Sequence, residues 1–316
     1  MDKCVSCGSE EIFSTPYINN QTSTKTIPWD ELSVKCCSNC GLGFAFPLVT
    51  ADKLLTFYRE DYHSDPTSYS KVFFTRKLHP GYLYQALNVA MFADLAEKTE
   101  INYLDIGCGA FGHSFNAFAK VYHNKKVNHF GIDADPLVKK MLEKNGITWL
   151  GDDYNSLKNS DRKFDIITLS HCLEHLALED SLHFLETVRN FLTKEGVLFI
   201  EVPHDDFRVK ERQSKPSSPH TIFFTPEALS NISAARGYSV LFCKTFGPNM
   251  ESFWQSLAVQ SGAKTFPQYI KSLLPVYVKE RLKNMFGDNS MNVFLKSNSW
   301  INSRGAFLRI ILKKSD

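Results

Sequence analysis

The sequence predicts an α/β protein built on a doubly wound, mostly parallel, seven-stranded Rossmann-like sheet. The first observation is that short apolar runs alternate with amphipathic helical stretches from residue 101 onward, which is the pattern of such a sheet. The second is a glycine-rich turn that follows the first of these runs and opens a helix. The third is a pair of CxxC turns near the N-terminus, which adds a small zinc ribbon to the prediction.

The predicted elements follow this alternation along the chain. Strands are expected at 101–106, 127–132, 164–169, 197–202, 238–243 and 306–312, and a further one is expected just before Asp152, in the third position of the sheet domain. Helices are expected at 51–59, 83–98, 114–121, 136–144, 178–192 and 226–236. The expected domains are a zinc ribbon at 1–48, a helical linker or lid at 49–100, a sheet domain at 101–246 and 305–316, and a helical cap inserted before the last strand at 247–304. The cap is expected to form part of an acceptor pocket or a dimer contact, so a homodimer is one expected assembly.

Composition excludes several classes of protein. The chain has 316 residues, of which 43% are hydrophobic and 22% charged, so it is neither disordered nor collagen-like nor a coiled coil. A net charge of +2 gives no electrostatic reason to expect a nucleic acid or an anionic membrane as partner. No apolar run is long enough for a membrane span, and the polar N-terminus lacks an apolar signal core. A soluble, cytoplasmic protein is therefore expected.

The N-terminal cysteines have the spacing of a structural metal site. Cys4 and Cys7 form one CxxC turn, and Cys37 and Cys40 form another, each followed by a glycine. Two such turns bring four thiolates to one ion, the tetrahedral donor set that Zn²⁺ prefers. Cys36 could replace Cys37 in a shifted register. Ordinary free thiols are the alternative interpretation.

The glycine-rich turn indicates a nucleotide-type cofactor. Gly107, Gly109 and Gly112 follow the first strand of the sheet domain, where glycine permits a tight turn and close approach of a ligand. Asp133 ends the next strand, where its carboxylate can accept both hydroxyls of a ribose. The same pattern fits an NAD fold. Asp105, two residues before the first glycine, argues against it, because a carboxylate there would crowd a pyrophosphate and instead suits the cationic amino-acid end of S-adenosylmethionine (SAM).

Taken in order, the motifs at 37–47, 104–109, 131–133, 164–167, 170–176, 196–203, 220–229 and 237–238 resemble the class I SAM-dependent methyltransferases. The likeness is to the bacterial branch with an N-terminal CxxC…CxxC element. It implies that 101–246 and 305–316 bind SAM. The implied cofactor-binding residues are Asp105, Gly107 and Gly109 at the methionine end, Asp133 at the ribose, Asp152 or Asp153 at the adenine edge, and Ser170 and His171 in the pocket wall. Phe111 stands where the family has a small residue and is expected to reshape the pocket mouth.

The candidate catalytic residues are histidines near the expected carboxyl ends of strands. A hydroxyl acceptor must lose a proton to a base with a pKa near neutrality, which histidine has without perturbation. The candidates are His171, His175, His204 and His220. The region of His220 resembles deoxysugar C-methyltransferases, except that Pro219 replaces a glutamate. A structural role for each histidine, or a metal shared by His171 and His175, is the alternative.

The resemblance favours methyl transfer to a small polar acceptor, a sugar or sugar-linked hydroxyl in particular. Tyr62 and His63 are expected either to cover that substrate or to lie in a surface loop. Two other hypotheses remain at this stage. The protein could methylate RNA or protein with the zinc ribbon as reader, or it could be a non-catalytic scaffold that zinc stabilises.

Overall fold

A computed structural model describes residues 3–21, 26–61, 74, 78–249 and 305–315. Tyr62, His63 and most of the expected cap at 247–304 lie outside the described residues, so the predictions for them stay predictions. The chain divides into a unit formed by Met1–Cys243 with Leu308–Asp316 and a second unit, Lys244–Phe307. None of the helices in the described ranges has the length and apolar character that a membrane crossing requires.

The described residues form two sheets and six α-helices. The strands are β1 (Ile12–Pro16), β2 (Ser33–Cys37), β3 (Gly43–Phe46), β4 (Glu100–Ile106), β5 (Lys126–Ile132), β6 (Thr148–Gly151), β7 (Phe164–Ser170), β8 (Leu192–Pro203), β9 (Ile222–Phe223), β10 (Tyr238–Asn249) and β11 (Gly305–Lys314). The α-helices are α1 (Ala51–Thr56), α2 (Pro80–Phe92), α3 (His113–Val121), α4 (Pro136–Lys144), α5 (Leu178–Arg189) and α6 (Pro226–Ala234). Short 3₁₀ turns connect several of them.

The larger sheet confirms the predicted architecture. Within the described chain it has seven strands in the order β10-β11-β8-β7-β4-β5-β6. The pairs β8–β7, β7–β4, β4–β5 and β5–β6 are parallel. From β4 the chain first forms β5 and β6 on one side of this strand, and it then crosses to form β7 and β8 on the other side. The direction of strand order therefore reverses between β4 and β7. In open α/β sheets, ligands bind at the carboxyl ends of the strands beside such a reversal.

Helices cover both faces of this sheet. Tyr103 and Leu104 are successive residues of β4 and belong to different buried clusters, and so do Ile166 and Ile167 of β7. Successive side chains of a strand point to opposite faces, so the two clusters lie on opposite sides of the sheet. The cluster with Leu104 includes residues of α5 and α6, and the cluster with Tyr103 includes residues of α2, α3 and α4. This is the doubly wound arrangement that the alternation predicts.

Local sequence signals set several helix starts. Asp135 caps α4 by accepting a hydrogen bond from the Leu137 amide at 2.8 Å, and a proline follows the cap. Thr225 caps α6 in the same way through the Ala228 amide at 3.1 Å. A capping oxygen satisfies an amide that has no partner inside the helix, and proline suits the first helical position. Both starts agree with the predicted ones.

Four predicted helices end at other residues, and the one expected at 226–236 ends at Ala234. The other three differ by more. The one expected at 178–192 ends at Arg189, because Leu192 already belongs to β8 and pairs with Phe164. The one expected at 83–98 is α2, which ends at Phe92. The one expected at 51–59 is α1, which continues as a π-helical turn at Phe57–Asp61. Strand pairing therefore overrides the helical periodicity at the end of the helix expected at 178–192.

The smaller sheet joins the N-terminal element to the larger domain. Its order is β1-β2-β3-β9, and β9 comes from the segment that follows His220. Phe44 of β3 faces Ile222 of β9. The Ala45 amide donates to the Thr221 carbonyl at 2.8 Å. The ribbon is therefore continuous with the segment around His220, a long-range pairing that the sequence pattern does not predict.

A buried ion pair connects β8, β11 and α2. The Arg309 Nε atom donates to the Glu201 carboxylate at 2.6 Å, and its Nη1 atom donates to Asn88 at 2.9 Å. Arg309 is 1% exposed and Glu201 is 5% exposed. Charges so deep in the protein are tolerated only when each has its partner.

We expect Arg309→Met to lower the free energy of unfolding by about 3–5 kcal/mol, because it leaves the Glu201 carboxylate buried without its main counter-charge. Chemical denaturation measures this. The double variant Arg309→Met with Glu201→Gln should recover part of the loss. The control Lys126→Met removes an exposed partner of Glu100 and should leave stability near that of the wild type. A denaturation midpoint of Arg309→Met equal to that of the wild type would contradict the account.

Candidate active site and metal centre

A cavity of about 480 Å³ opens at the carboxyl ends of β4, β5, β6 and β7. Its floor includes Ile106, Gly107, Ile132 and Leu169, the last residues of these strands or their immediate neighbours. Its other lining residues include Leu54, Leu55, Tyr58, Asp133, Ala134, Asp135, Asp152, Asp153, Tyr154, Asn155, His171, Cys172, His175, Leu176, Ala177, Asp180 and Phe184. The cavity lies at the reversal of strand order, where the sheet predicts a ligand site.

The glycine bend after β4 has a backbone that only glycine adopts easily. Gly107 has a φ of 69° and Gly109 a φ of 60°, in the left-handed region that side chains disfavour. A Cβ atom on Gly107 would lie 2.8 Å from the Cys172 sulfur, closer than van der Waals contact allows. The Gly107 amide donates to the Ile132 carbonyl at 2.8 Å. This hydrogen bond holds the bend against the end of β5. Gly107 lines the cavity.

Asp133 holds this bend from the neighbouring strand. Its Oδ2 atom accepts a hydrogen bond from the Gly109 amide at 2.8 Å, and its Oδ1 atom accepts one from the Asp135 amide at 3.0 Å. The carboxylate lines the cavity. An ionised carboxylate is an acceptor-only group that can take several hydrogen bonds. The ribose contact expected for Asp133 stays a prediction.

Asp105 lies beneath the bend. It is 4% exposed, accepts a hydrogen bond from the Thr168 hydroxyl at 2.6 Å and accepts another from the Ser114 hydroxyl. Burial raises the pKa of Asp105 to about 6, although both hydroxyl donors act in the opposite direction. The residues of the described chain that line the cavity do not include Asp105. Its observed contacts tie β4 to β7 and α3, and its contact with the methionine end stays a prediction.

The two candidates for the adenine edge differ in their contacts. Asp153 caps the 3₁₀ turn after β6, since its Oδ1 atom accepts from the amides of Asn155 at 2.7 Å and Ser156 at 3.2 Å. Asp152 accepts from Arg59 Nη2 at 2.7 Å, and this pair is exposed to solvent. Both aspartates line the cavity. Asp153 has a local structural role, while the Asp152–Arg59 pair joins two walls of the cavity.

Ser170 is the last residue of β7, and His171 follows it. The Ser170 hydroxyl accepts a hydrogen bond from Gln85 at 2.9 Å. His171 has a φ of 52°, unusual for a residue with a side chain, and lines the cavity. Its Nε2 atom lies 3.1 Å from a Glu201 oxygen, and its Nδ1 atom lies 3.7 Å from a Glu174 oxygen. Burial acts to lower the pKa of His171, but these two carboxylates outweigh it and raise the pKa to about 10. An imidazolium is a poor general base.

Two further histidines meet at the cavity wall. His175 Nδ1 and the Tyr58 hydroxyl share a hydrogen bond of 2.5 Å. The ring centres of His175 and His220 are 4.9 Å apart. Burial lowers the pKa of both imidazoles to about 4, so both are neutral at pH 7. His175 lines the cavity, whereas His220 is not among its lining residues in the described chain. The structure thus brings His175 and His220 together although they are far apart in sequence.

His204 and Phe111 lie outside the residues that line this cavity in the described chain. His204 is 6% exposed and forms an isolated β-bridge with Phe224. Phe111 is 48% exposed, and its ring stacks on His113 with 5.7 Å between ring centres. Neither arrangement supplies a contact to the cavity, so the roles expected for them remain predictions.

Two residues of this region do not appear among the sequence candidates. Tyr58 comes from the π-helical turn, and Glu174 precedes His175 in a 3₁₀ turn. Glu174 reads as a polar residue at a helix start, and only its burial, at 1% exposure, distinguishes it. The one available signal is its position next to His175 within the motif at 170–176.

The four N-terminal cysteines form one cluster. The sulfur atoms of Cys4, Cys7, Cys37 and Cys40 all lie within 4.8 Å of one another. The Cys4–Cys40 and Cys7–Cys37 sulfur distances are both 3.6 Å. Four thiolates at such distances fit the tetrahedral coordination of Zn²⁺.

Cys36 belongs to a different environment. It precedes Cys37 in β2, so its side chain points to the other face of the small sheet. There it is buried with Trp29 and Val34. Burial raises the pKa of the Cys36 thiol to about 12. The cysteine cluster therefore contains Cys37 rather than Cys36, which resolves the register that the sequence left open.

The fold and the cavity are those of a class I methyltransferase, and comparison with known proteins agrees. A family model described as "Methyltransferase domain" matches residues 80–241, about half of the chain. The chain belongs to this family, and the expected class of SAM-dependent methyltransferases is confirmed.

Several known proteins are similar to parts of the chain. Ajmaline N-methyltransferase of Rauvolfia serpentina is 27% identical over 147 residues, which are 44% of this chain and 48% of that enzyme. The chain thus spans about half the length of this curated relative. The plantazolicin methyltransferase BpumL in complex with SAH is 17% identical, with a TM-score of 0.46, over 83% of this chain and 94% of that one. A putative methyltransferase in complex with the Haloferax volcanii Trm112 activator is 13% identical, with a TM-score of 0.45, over 75% and 92%.

We expect Asp133→Asn to weaken binding of S-adenosylhomocysteine by about ten- to hundredfold, because charge-assisted hydrogen bonds to the ribose are lost. Isothermal titration calorimetry measures this. Asp161→Asn changes an exposed aspartate outside the cavity lining and should bind like the wild type. Equal affinity for both variants would exclude the ribose contact.

We expect Cys4→Ser combined with Cys7→Ser to abolish zinc binding and to lower the melting temperature, because the metal supplies folding free energy to the ribbon. Metal content by mass spectrometry and thermal unfolding measure the two effects. The control Cys36→Ala should retain its zinc. Loss of zinc from that control would show that Cys36 is a ligand.

Proposed function

We propose that the protein transfers a methyl group from SAM to a small polar acceptor, most favourably a sugar or sugar-linked hydroxyl. The observation that supports this best is the cavity whose lining combines Gly107 and Asp133 with Tyr58 and His175. One part of the cavity suits a nucleoside, and the other offers imidazole and phenol groups. A cytoplasmic location is part of the proposal, since cysteine-bound metal is typical of reducing compartments.

The cofactor is held by the bend and by the ends of the strands. Asp133 accepts hydrogen bonds from the two ribose hydroxyls, and the bend at Gly107 and Gly109 approaches the methionine end. Asp152 or Asp153 faces the adenine edge. SAM bound in this way carries its methyl group on a sulfonium sulfur. The protein's main contribution is to align that methyl group with the acceptor, which supplies several kcal/mol of rate enhancement.

The reaction is an in-line displacement. The acceptor oxygen forms a bond to the methyl carbon, the carbon–sulfur bond breaks, and its electron pair remains on sulfur in S-adenosylhomocysteine. The acceptor proton must leave during this step. His171 is unsuited to accept it because neighbouring carboxylates favour its charged form. The proton passes instead to a neutral imidazole of the His175 and His220 pair, whose lowered pKa leaves it unprotonated at pH 7 but makes it a weaker base than an ordinary histidine.

The zinc ribbon supports the acceptor side of the cavity in this proposal. Cys4, Cys7, Cys37 and Cys40 bind a structural Zn²⁺ with no open position. The Thr225 hydroxyl donates to the Cys40 carbonyl at 2.5 Å, and β3 pairs with β9 directly after His220. This continuity favours a supporting role for the ribbon over a separate reader of RNA or protein.

Product identification tests the proposed function. The purified protein is incubated with a cell extract and SAM that carries a labelled methyl group, and the labelled product is identified by mass. We expect the label in a small molecule with a methylated hydroxyl. Label in RNA or protein would overturn the acceptor class. No label in any fraction, together with no binding of S-adenosylhomocysteine, would favour the scaffold.

We expect His220→Ala to lower kcat by about a hundredfold or more, because activation of an acceptor proton is worth about 10²–10⁴ in rate. Affinity for S-adenosylhomocysteine should change little, because the imidazole lies on the acceptor side. Steady-state kinetics and calorimetry separate the two effects. His123→Ala alters an exposed histidine elsewhere and is the control. Normal turnover of His220→Ala would remove this residue from the mechanism.

A further inference from the structure

A second cluster of metal-binding atoms lies at the wall of the cavity. Glu174, His175 and His220 each place one ligand atom within 4.8 Å of the other two. Glu174 and His175 belong to the 3₁₀ turn Leu173–His175, and His220 precedes β9. The Thr221 amide and hydroxyl donate to the Glu174 carbonyl at 2.9 and 3.1 Å. These two bonds hold the turn against the segment of His220, so the three side chains meet in a fixed arrangement.

Glu174 lacks the hydrogen bonds that a buried carboxylate needs. It is 1% exposed. Neither of its carboxylate oxygens has a hydrogen-bond partner among the described residues. The closest basic atoms are His171 Nδ1 and His175 Nε2, each 3.7 Å from Oε1. Buried carboxylates without partners are costly and rare. The gap between Glu174 and the imidazoles indicates that a ligand with positive charge belongs there.

The hydrogen bonding of His175 is that of a metal ligand. Its Nδ1 atom is engaged by the Tyr58 hydroxyl at 2.5 Å, which leaves Nε2 on the side of Glu174. Metal-binding histidines generally use one ring nitrogen for the ion and the other for such a partner, which fixes the ring orientation. Two imidazoles and one carboxylate are also the donor set of catalytic zinc sites, where water or substrate takes the fourth position.

We propose that Glu174, His175 and His220 bind a divalent transition-metal cation, distinct from the ion of the four cysteines. Nitrogen and oxygen donors in this combination suit Zn²⁺, Fe²⁺ or Co²⁺. His175 lines the cavity, so the ion lies on the acceptor side. A hydroxyl that binds such an ion loses its proton more readily than a free one. This chemical role rests on the proposed methyl transfer, whereas cation binding does not depend on it.

The competing arrangement has His171 as the counter-charge of Glu174. Its imidazolium lies 3.7 Å from the same oxygen. In that case no cation is needed, and the cluster binds none. Metal titration distinguishes the two arrangements without reference to catalysis.

The test uses the full chain with zinc in the cysteine site, titrated with Co²⁺ in the absence of SAM. We expect one further Co²⁺ per chain, with weak visible absorption bands and no thiolate charge-transfer bands. Glu174→Gln and His220→Ala should each weaken this binding by about tenfold or more. Loss of a group that only hydrogen-bonds to a metal ligand already weakens metal binding by about that much, and loss of a ligand itself should do at least the same. His183→Ala is the control, because His183 is half exposed and its side-chain contacts are to Lys158, Glu186 and Thr187 rather than to the cluster.

Glu174→Gln conserves shape, so its thermal unfolding without added metal should match the wild type. Should it unfold early, His220→Ala serves as the second test of the site. No uptake of Co²⁺ by the wild type beyond the cysteine site, or equal uptake by both variants, would overturn the proposal. Either result with intact binding of S-adenosylhomocysteine would leave the proposed methyl transfer standing. Uptake of Co²⁺ without binding of S-adenosylhomocysteine would support the cation site and contradict the proposed methyl transfer.

Discussion

The hydrogen bond from the Gly109 amide to Asp133 is the contact on which the cofactor site depends. It spans 2.8 Å between the bend after β4 and the end of β5. The bend has left-handed glycine backbone that no longer pairs within a strand, and Asp133 supplies an acceptor for it. The same carboxylate faces the cavity. One side chain therefore both shapes the bend and presents acceptors to a ligand, which explains why an acidic residue stands at the end of this strand.

The acceptor side of the site depends on a different contact, the pairing of β3 with β9. This pairing joins the N-terminal ribbon to the segment that carries His220. Because the Thr225 hydroxyl also donates to Cys40, the cysteine cluster and the capped start of α6 are held together. The N-terminal element and the segment of His220 are thus joined by backbone hydrogen bonds.

The sequence predicts the sheet and the glycine bend beside Asp133 well, because both follow local rules. Glycines with positive φ, an acidic residue at a strand end and prolines at helix starts are all visible in short windows of sequence. The acceptor half depends on contacts between distant segments. No local pattern indicates that Ile222 pairs with Phe44, or that His220 meets His175.

Buried charge is the other feature that sequence did not predict. Glu174 reads as a polar residue at a helix start and is instead nearly inaccessible to solvent. Arg309 is the lone charge within an apolar run and finds its partner, Glu201, on a neighbouring strand. Hydrophobic periodicity records which residues are apolar, but it does not tell which polar residues the tertiary structure encloses. For this reason, neither the proposed cation site nor the buried ion pair could be predicted from the sequence.

The most direct test of the account is a crystal structure of the protein with S-adenosylhomocysteine. The account predicts ribose hydroxyls on the Asp133 carboxylate, the amino-acid end over Gly107 and Gly109, and the sulfur facing His175. A nucleoside bound elsewhere, or a cavity that stays empty at saturating concentrations of S-adenosylhomocysteine, would contradict it.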